Sequence, residues 1–91
     1  MDTKQILNQA ADHVAEVIRN IDPEQVDAMA KGLAKANRVF VFGWGRAGNV
    51  ARILGMDMSQ IGKLVYCVGD NGTPSIHEGD MLVVLSGSGN T

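Results

Sequence analysis

Cysteine is nearly absent from this 91-residue sequence: Cys67 stands alone. One thiol excludes an internal disulfide and a cysteine-rich zinc site, and it fits a reducing cytoplasm. No run of Lys or Arg occurs, and the formal net charge is -2. Nucleic acid is therefore not the expected partner. No apolar stretch approaches the roughly 20 residues that span a bilayer, so no membrane partner is expected. The first residues, MDTKQILNQAADHV, carry acids and lack the apolar centre of a signal peptide. Cytoplasmic localisation is the expectation. The length allows one small domain at most. Hydrophobic residues, at 45%, suffice for a core.

What is present begins with helical periodicity. Ile6, Leu7, Ala10, Val14, Val17, Ile18 and Ile21 recur in steps of three and four, which predicts a helix over 3–21. Asp22-Pro23-Glu24-Gln25 reads as a second helix start, with Asp22 as cap and Pro23 in the first turn. Val26, Met29, Ala30 and Leu33 carry that helix to about Lys35. The period then changes. RVFVF (38–42), LVYCV (64–68) and MLVVL (81–85) read as strands, and a helix is predicted from about Gly48 to Ile61, closed by Gly62. Near-continuous apolar strands predict a parallel sheet buried on both faces. Strand, helix, strand in this order predicts a right-handed crossover. In a doubly wound sheet of order 2-1-3, the first and third strands are neighbours. The chain stops directly after a Gly-rich turn where such a sheet would continue into a helix, so it is expected to be the first half of a larger domain.

Two loops carry the chemistry. Gly43-Trp44-Gly45-Arg46-Ala47-Gly48 joins a strand to a helix and matches G-x-G-x-x-G. Three readings fit it: a sugar-phosphate loop, a nicotinamide dinucleotide loop with Asp70 as the ribose acid, and a tight turn without a ligand. Ser86-Gly87-Ser88-Gly89-Asn90-Thr91 follows the third strand. Its hydroxyls and unhindered backbone amides can converge on an anion. A helix starting there would add its dipole. No lysine is present, so it is not a Walker A loop. The two loops would flank one crevice at the C-terminal ends of the first and third strands. No metal site and no cofactor is expected. His77-Glu78 and the other acids between residues 69 and 80 are read as a solvated turn. Cys67, Met56 and Met58 are read as packing residues. Trp44 fits two roles equally, a wall of a sugar site or a packing residue beneath the following helix.

VFVFGWGRAG, the loop from Gly69 to Gly79 with its Thr73-Pro74 turn, and above all EGDMLVVLSGSGNT resemble the SIS (sugar isomerase) domain. Within it they are most like the 6-phospho-3-hexuloisomerase branch. The resemblance covers about residues 37–91, with residues 1–36 as an N-terminal helical segment. It implies a flavodoxin-like α/β sandwich of parallel strands, a homodimer or homotetramer, and isomerisation of a phosphorylated sugar. It places the phosphate on Ser86, Gly87, Ser88, Gly89, Asn90 and Thr91, with Gly45, Arg46 and Ala47 contributing. The family's base, a Glu of its second half, has no counterpart before Thr91. The family has a small residue at the Trp44 position and Ser at the Ala47 position. Arg and His often stand where this chain has Asp57 and Gln60. A non-catalytic sugar-phosphate sensor is the alternative in another functional class.

Overall fold

The computed structural model describes residues 1–89 and comprises two compact units, 1–31 and 32 onward. In the first unit, α1 spans Thr3–Arg19. Its start is set by a capping box: the Asp2 carboxylate accepts from the Gln5 N–H, and the Gln5 side chain accepts from the Asp2 N–H, both at 2.9 Å. None of its residues is buried, and its apolar stripe, from Leu7 to Ile18, stays more than half exposed. Helix α2, Pro23–Lys35, begins as the sequence predicts. Asp22 accepts from the Glu24 N–H at 2.9 Å, and Pro23 occupies the first turn, where an N–H would lack a partner anyway.

The second unit is a three-stranded parallel sheet of order β2-β1-β3, formed by β1 (Val39–Gly43), β2 (Val65–Cys67) and β3 (Met81–Leu85). Val39 stands opposite both Val65 and Met81. The central strand holds the core: Val39, Phe40 and Val41 are fully buried. Each such side chain contributes about 1.5–3 kcal/mol by leaving water. Helix α3, Arg46–Gln60, lies on the face formed by Val39, Val41 and Val83, and adds Ala51 and Met58 to that core. It comes close because its inner positions are small. A Cβ added at Gly55 would touch Val65 and Val41 at 3.3 and 3.4 Å. The helix ends in a Schellman arrangement, with Gly62 at φ 95°. There the Gly62 N–H donates to Ser59 and the Lys63 N–H to Met58. The Lys63 ammonium then reaches the Ala34 and Ala36 carbonyls at the end of α2.

Side chains alternate along a strand, so Phe40 and Phe42 point to the sheet's other face. Phe40 stacks on Tyr66 with ring centres 5.4 Å apart. The Arg38 guanidinium sits 5.3 Å from the Phe40 centroid and donates to Ser75 O (2.9 Å) and to both Asp80 oxygens. The β2–β3 connection must cross β1, and Arg38 ties it down there. Three expectations need correction. Helix α3 starts at Arg46, not Gly48, because Gly45 rather than the last glycine of the loop takes the cap position. Strand β2 is three residues long rather than five. The sheet is not covered on both faces throughout: Leu82 and Val84 of β3 are half exposed.

Candidate functional site

The turn between β1 and α3 is built by backbone contact. A Cβ at Gly43 would lie 2.7 Å from the Ala47 carbonyl carbon, and one at Gly48 would lie 2.5 Å from the Gly43 oxygen. Strand end and helix start thus touch where neither can carry a side chain. Gly45, the cap residue, has φ 57° and ψ -127°, a conformation that only glycine adopts without strain. It offers no side-chain cap, and the first turn of α3 contains no acid. The N–H groups and positive dipole end of α3 therefore face the loop without a built-in anion.

At the end of β3, the Ser86 hydroxyl accepts from the Gly89 N–H at 3.0 Å, curling the loop back on itself. Register places Gly43 opposite Leu85, so the two loops leave adjacent strands at the same level. An open groove of about 270 Å³ lies between them, lined by Ala47, Val50, Leu85, Ser86 and Gly87. The structure thus brings Ala47, Ser86 and Gly87 together. Gly45, Arg46, Ser88 and Gly89 sit on the same two loops outside that lining, all exposed. Asn90 and Thr91 lie outside the described residues. A larger concavity, about 470 Å³, runs along α1 beside Gln5, Asn8 and Asp12. It borders a single exposed helix and no Gly-rich loop.

Asp70 is engaged elsewhere. Its carboxylate receives two hydrogen bonds from Arg52 of α3, at 2.6 and 3.1 Å. The Arg52 hydrogen bond holds the Asp70 carboxyl below its ordinary range. An acid so paired is not presented to a ribose. Sequence reading did not single out Arg52, since its partner lies 18 residues away and Arg52 itself belongs to no motif. Asp80 is likewise not a solvated turn residue: its side chain is 2% exposed and paired with Arg38 at 2.6 Å. Trp44 does not pack beneath α3. It is 71% exposed and meets Phe42 edge-on, 5.5 Å between ring centres. Met58 joins the core, whereas Met56 is exposed. Among the described residues, no three His, Cys, Asp or Glu side chains are gathered as metal ligands. No helix among them is long and apolar enough to cross a membrane.

Comparison with known proteins agrees with this architecture. A 3-hexulose-6-phosphate isomerase of Mycobacterium gastri is 44% identical over 85 residues, which is 93% of this chain and 43% of that protein. A crystal structure of a hypothetical protein superposes with a TM-score of 0.88 at 38% identity, covering 96% of this chain and 46% of its own. A second, from Methanococcus jannaschii, has a TM-score of 0.72 at 37% identity, covering 75% of this chain and 38% of its own. It is described as inferring a molecular function of 3-hexulose-6-phosphate isomerase. The chain spans less than half the length of these relatives. Residues 32–91 match the SIS domain, so the chain belongs to the SIS domain family.

Proposed function

We propose that this chain supplies the phosphate-binding part of a sugar-phosphate isomerase acting on a hexulose 6-phosphate. The observation that carries the reading is the groove shared by the β1–α3 turn and the Ser86 loop. It lies at the switch point of a parallel sheet, where α/β folds bind ligands. The phosphate sits against Ser86, Gly87, Ser88 and Gly89, and the proposal includes Asn90 and Thr91, which follow them in sequence. Gly45, Arg46 and Ala47 face it from the helix start. Isomerisation moves a proton between adjacent carbons through an enediolate and requires a positioned base. No described residue lining the groove carries a carboxyl or imidazole group, which supports a base supplied by the family's second half or by a neighbouring subunit. The same observation favours the second reading, a sugar-phosphate sensor without catalysis. A homodimer or homotetramer is part of the proposal, supported by a 17-residue α1 that buries none of its residues. So are a cytoplasmic location and the division into a helical segment, 1–36, and the first half of the SIS core, 37–91.

Calorimetric titration with fructose 6-phosphate tests the reading. Ser86→Ala and Ser88→Ala should each weaken binding by about 1–3 kcal/mol, the usual loss for a hydrogen bond to a charged group. Unchanged affinity in both variants removes the loop from the site. Saturable binding of NAD at micromolar concentration would overturn the reading in favour of a dinucleotide domain.

A further inference from the structure

Strand β2 has β1 on one side and, among the described residues, no strand on the other. Its ladder fixes which groups face that open side. The Val39 N–H donates to Leu64 O, and the Val68 N–H donates to Val41 O. Residues 64, 66 and 68 therefore turn their backbone groups to β1, and alternation turns those of Lys63, Val65 and Cys67 outward. Two of the outward groups are already engaged. Cys67 O accepts from the Asp70 N–H and the Thr73 hydroxyl, and the Lys63 N–H donates to Met58 O. The Val65 N–H and C=O, the Cys67 N–H and the Lys63 C=O remain for a further strand.

This set is complementary to itself. In an antiparallel pair centred on Val65, the Val65 groups of two copies exchange two hydrogen bonds. Each Cys67 N–H then meets the Lys63 C=O of the other copy. The groups that would face each other next, Cys67 O and the Lys63 N–H, are the two that the fold has already satisfied. The edge also lacks the usual guards. It has no proline and no bulge, and Lys63 turns its ammonium to the Ala34 and Ala36 carbonyls. Beside the edge runs an apolar groove of about 300 Å³, lined by Gly55, Met56, Val65 and Cys67 together with Arg52 and Ser59. Met56 is 63% exposed there. A two-fold axis at Val65 puts the α3 helices of both copies on one face of the joined sheet, each Met56 toward the other copy's groove.

We infer that β2 is an interface strand, pairing antiparallel with the β2 of a second copy of this chain and joining two sheets into one. The inference rests on the assembly proposed above and names one of its surfaces. The β2 edge and α1 are separate surfaces, and a homotetramer of two-fold symmetry needs two.

Backbone amide exchange over a series of protein concentrations tests this. The Val65 and Cys67 N–H groups should become protected in step with the mass from light scattering, at the same midpoint. Val65→Pro removes an outward donor and leaves the ladder to β1 intact. It should raise that midpoint roughly 10-fold or more, the scale of the two bonds lost per pair. Met56→Glu, at an exposed groove position, should raise it too, whereas Ile53→Glu, exposed on α3 outside the groove, should not. Assembly with both amides unprotected, or a midpoint that neither Val65→Pro nor Met56→Glu moves, overturns the inference and leaves the assembly to another surface. Protection that persists at dilutions where the chain is monomeric means that the chain covers its own edge, and overturns it as well. A chain monomeric at every concentration removes assembly and inference together. If Val65→Pro fails to fold, the exchange of the parent and the Met56→Glu midpoint decide.

Discussion

Single residues decide whether the site can form. Gly43 and Gly48 let β1 and α3 meet backbone to backbone, and the approach leaves no room for a methyl group. Gly43→Ala should therefore destabilise the fold by about 1–3 kcal/mol, the range for overpacking a tight contact. Gly87→Ala is the matched control, because a Cβ there meets nothing within 4 Å. Its stability should stay within about 0.5 kcal/mol of the parent. Urea unfolding of both variants checks the contrast, and equal losses would mean that the contact between turn and helix is not tight. The importance of this turn was legible in the sequence, since three glycines between a strand and a helix ask for a tight bend. The division of labour among them was not. Two serve close approach and one serves a positive φ, and spacing alone does not distinguish these. Trp44 shows the same limit: its sequence neighbours allowed either a buried or an exposed ring, and only the edge-on contact with Phe42 separates them.

Among elements, two ion pairs tie the β2–β3 connection and α3 to the sheet unit, and they differ in burial. Arg38–Asp80 is 20% and 2% exposed, whereas Arg52–Asp70 is 56% and 46% exposed. The Arg38 hydrogen bond, with the His77 N–H second, holds the Asp80 carboxyl below its ordinary value of 3.8. The folded chain then binds this proton less readily than the unfolded chain does. The pair's contribution is complete above pH 3.8 and is lost as pH falls from there through the lower folded value. Asp80→Asn should accordingly be less stable than the parent at pH 7, with the gap closing in acid. A gap independent of pH would exclude the ionised pair as its cause. Asp70→Asn should show a smaller gap that shrinks in about 1 M salt, because exposed charges are screened. Helices and strand centres were legible from periodicity and from Val-, Phe- and Leu-rich runs. The two pairs were not: Arg38 and Asp80 stand 42 residues apart, in segments that read separately as a strand start and a polar turn. The exposed side of β3 escaped as well, because the run MLVVL looks the same whether one or both faces are covered.

At the scale of the molecule, α1 and the outer side of β3 leave apolar surface in water. Ile18 is 60% exposed and Val84 49%. A helix of this length is marginal without packing, which is why assembly belongs to the proposed function. Light scattering should give a mass above one chain at micromolar concentration, and Ile18→Glu should lower it. A parent that stays monomeric at all concentrations removes the assembly. The position of β1 at the centre of the sheet has a separate consequence, for the order of events during synthesis. Val39 needs Val65 on one side and Met81 on the other, and both follow it in the chain. Neither pairing is local, and parallel pairings close slowly because loop entropy is lost before contacts compensate it. The most buried strand therefore keeps one edge open until β3 has left the ribosome. The newborn chain is most prone to aggregate in that interval, and slowed translation between β2 and β3 would lengthen it.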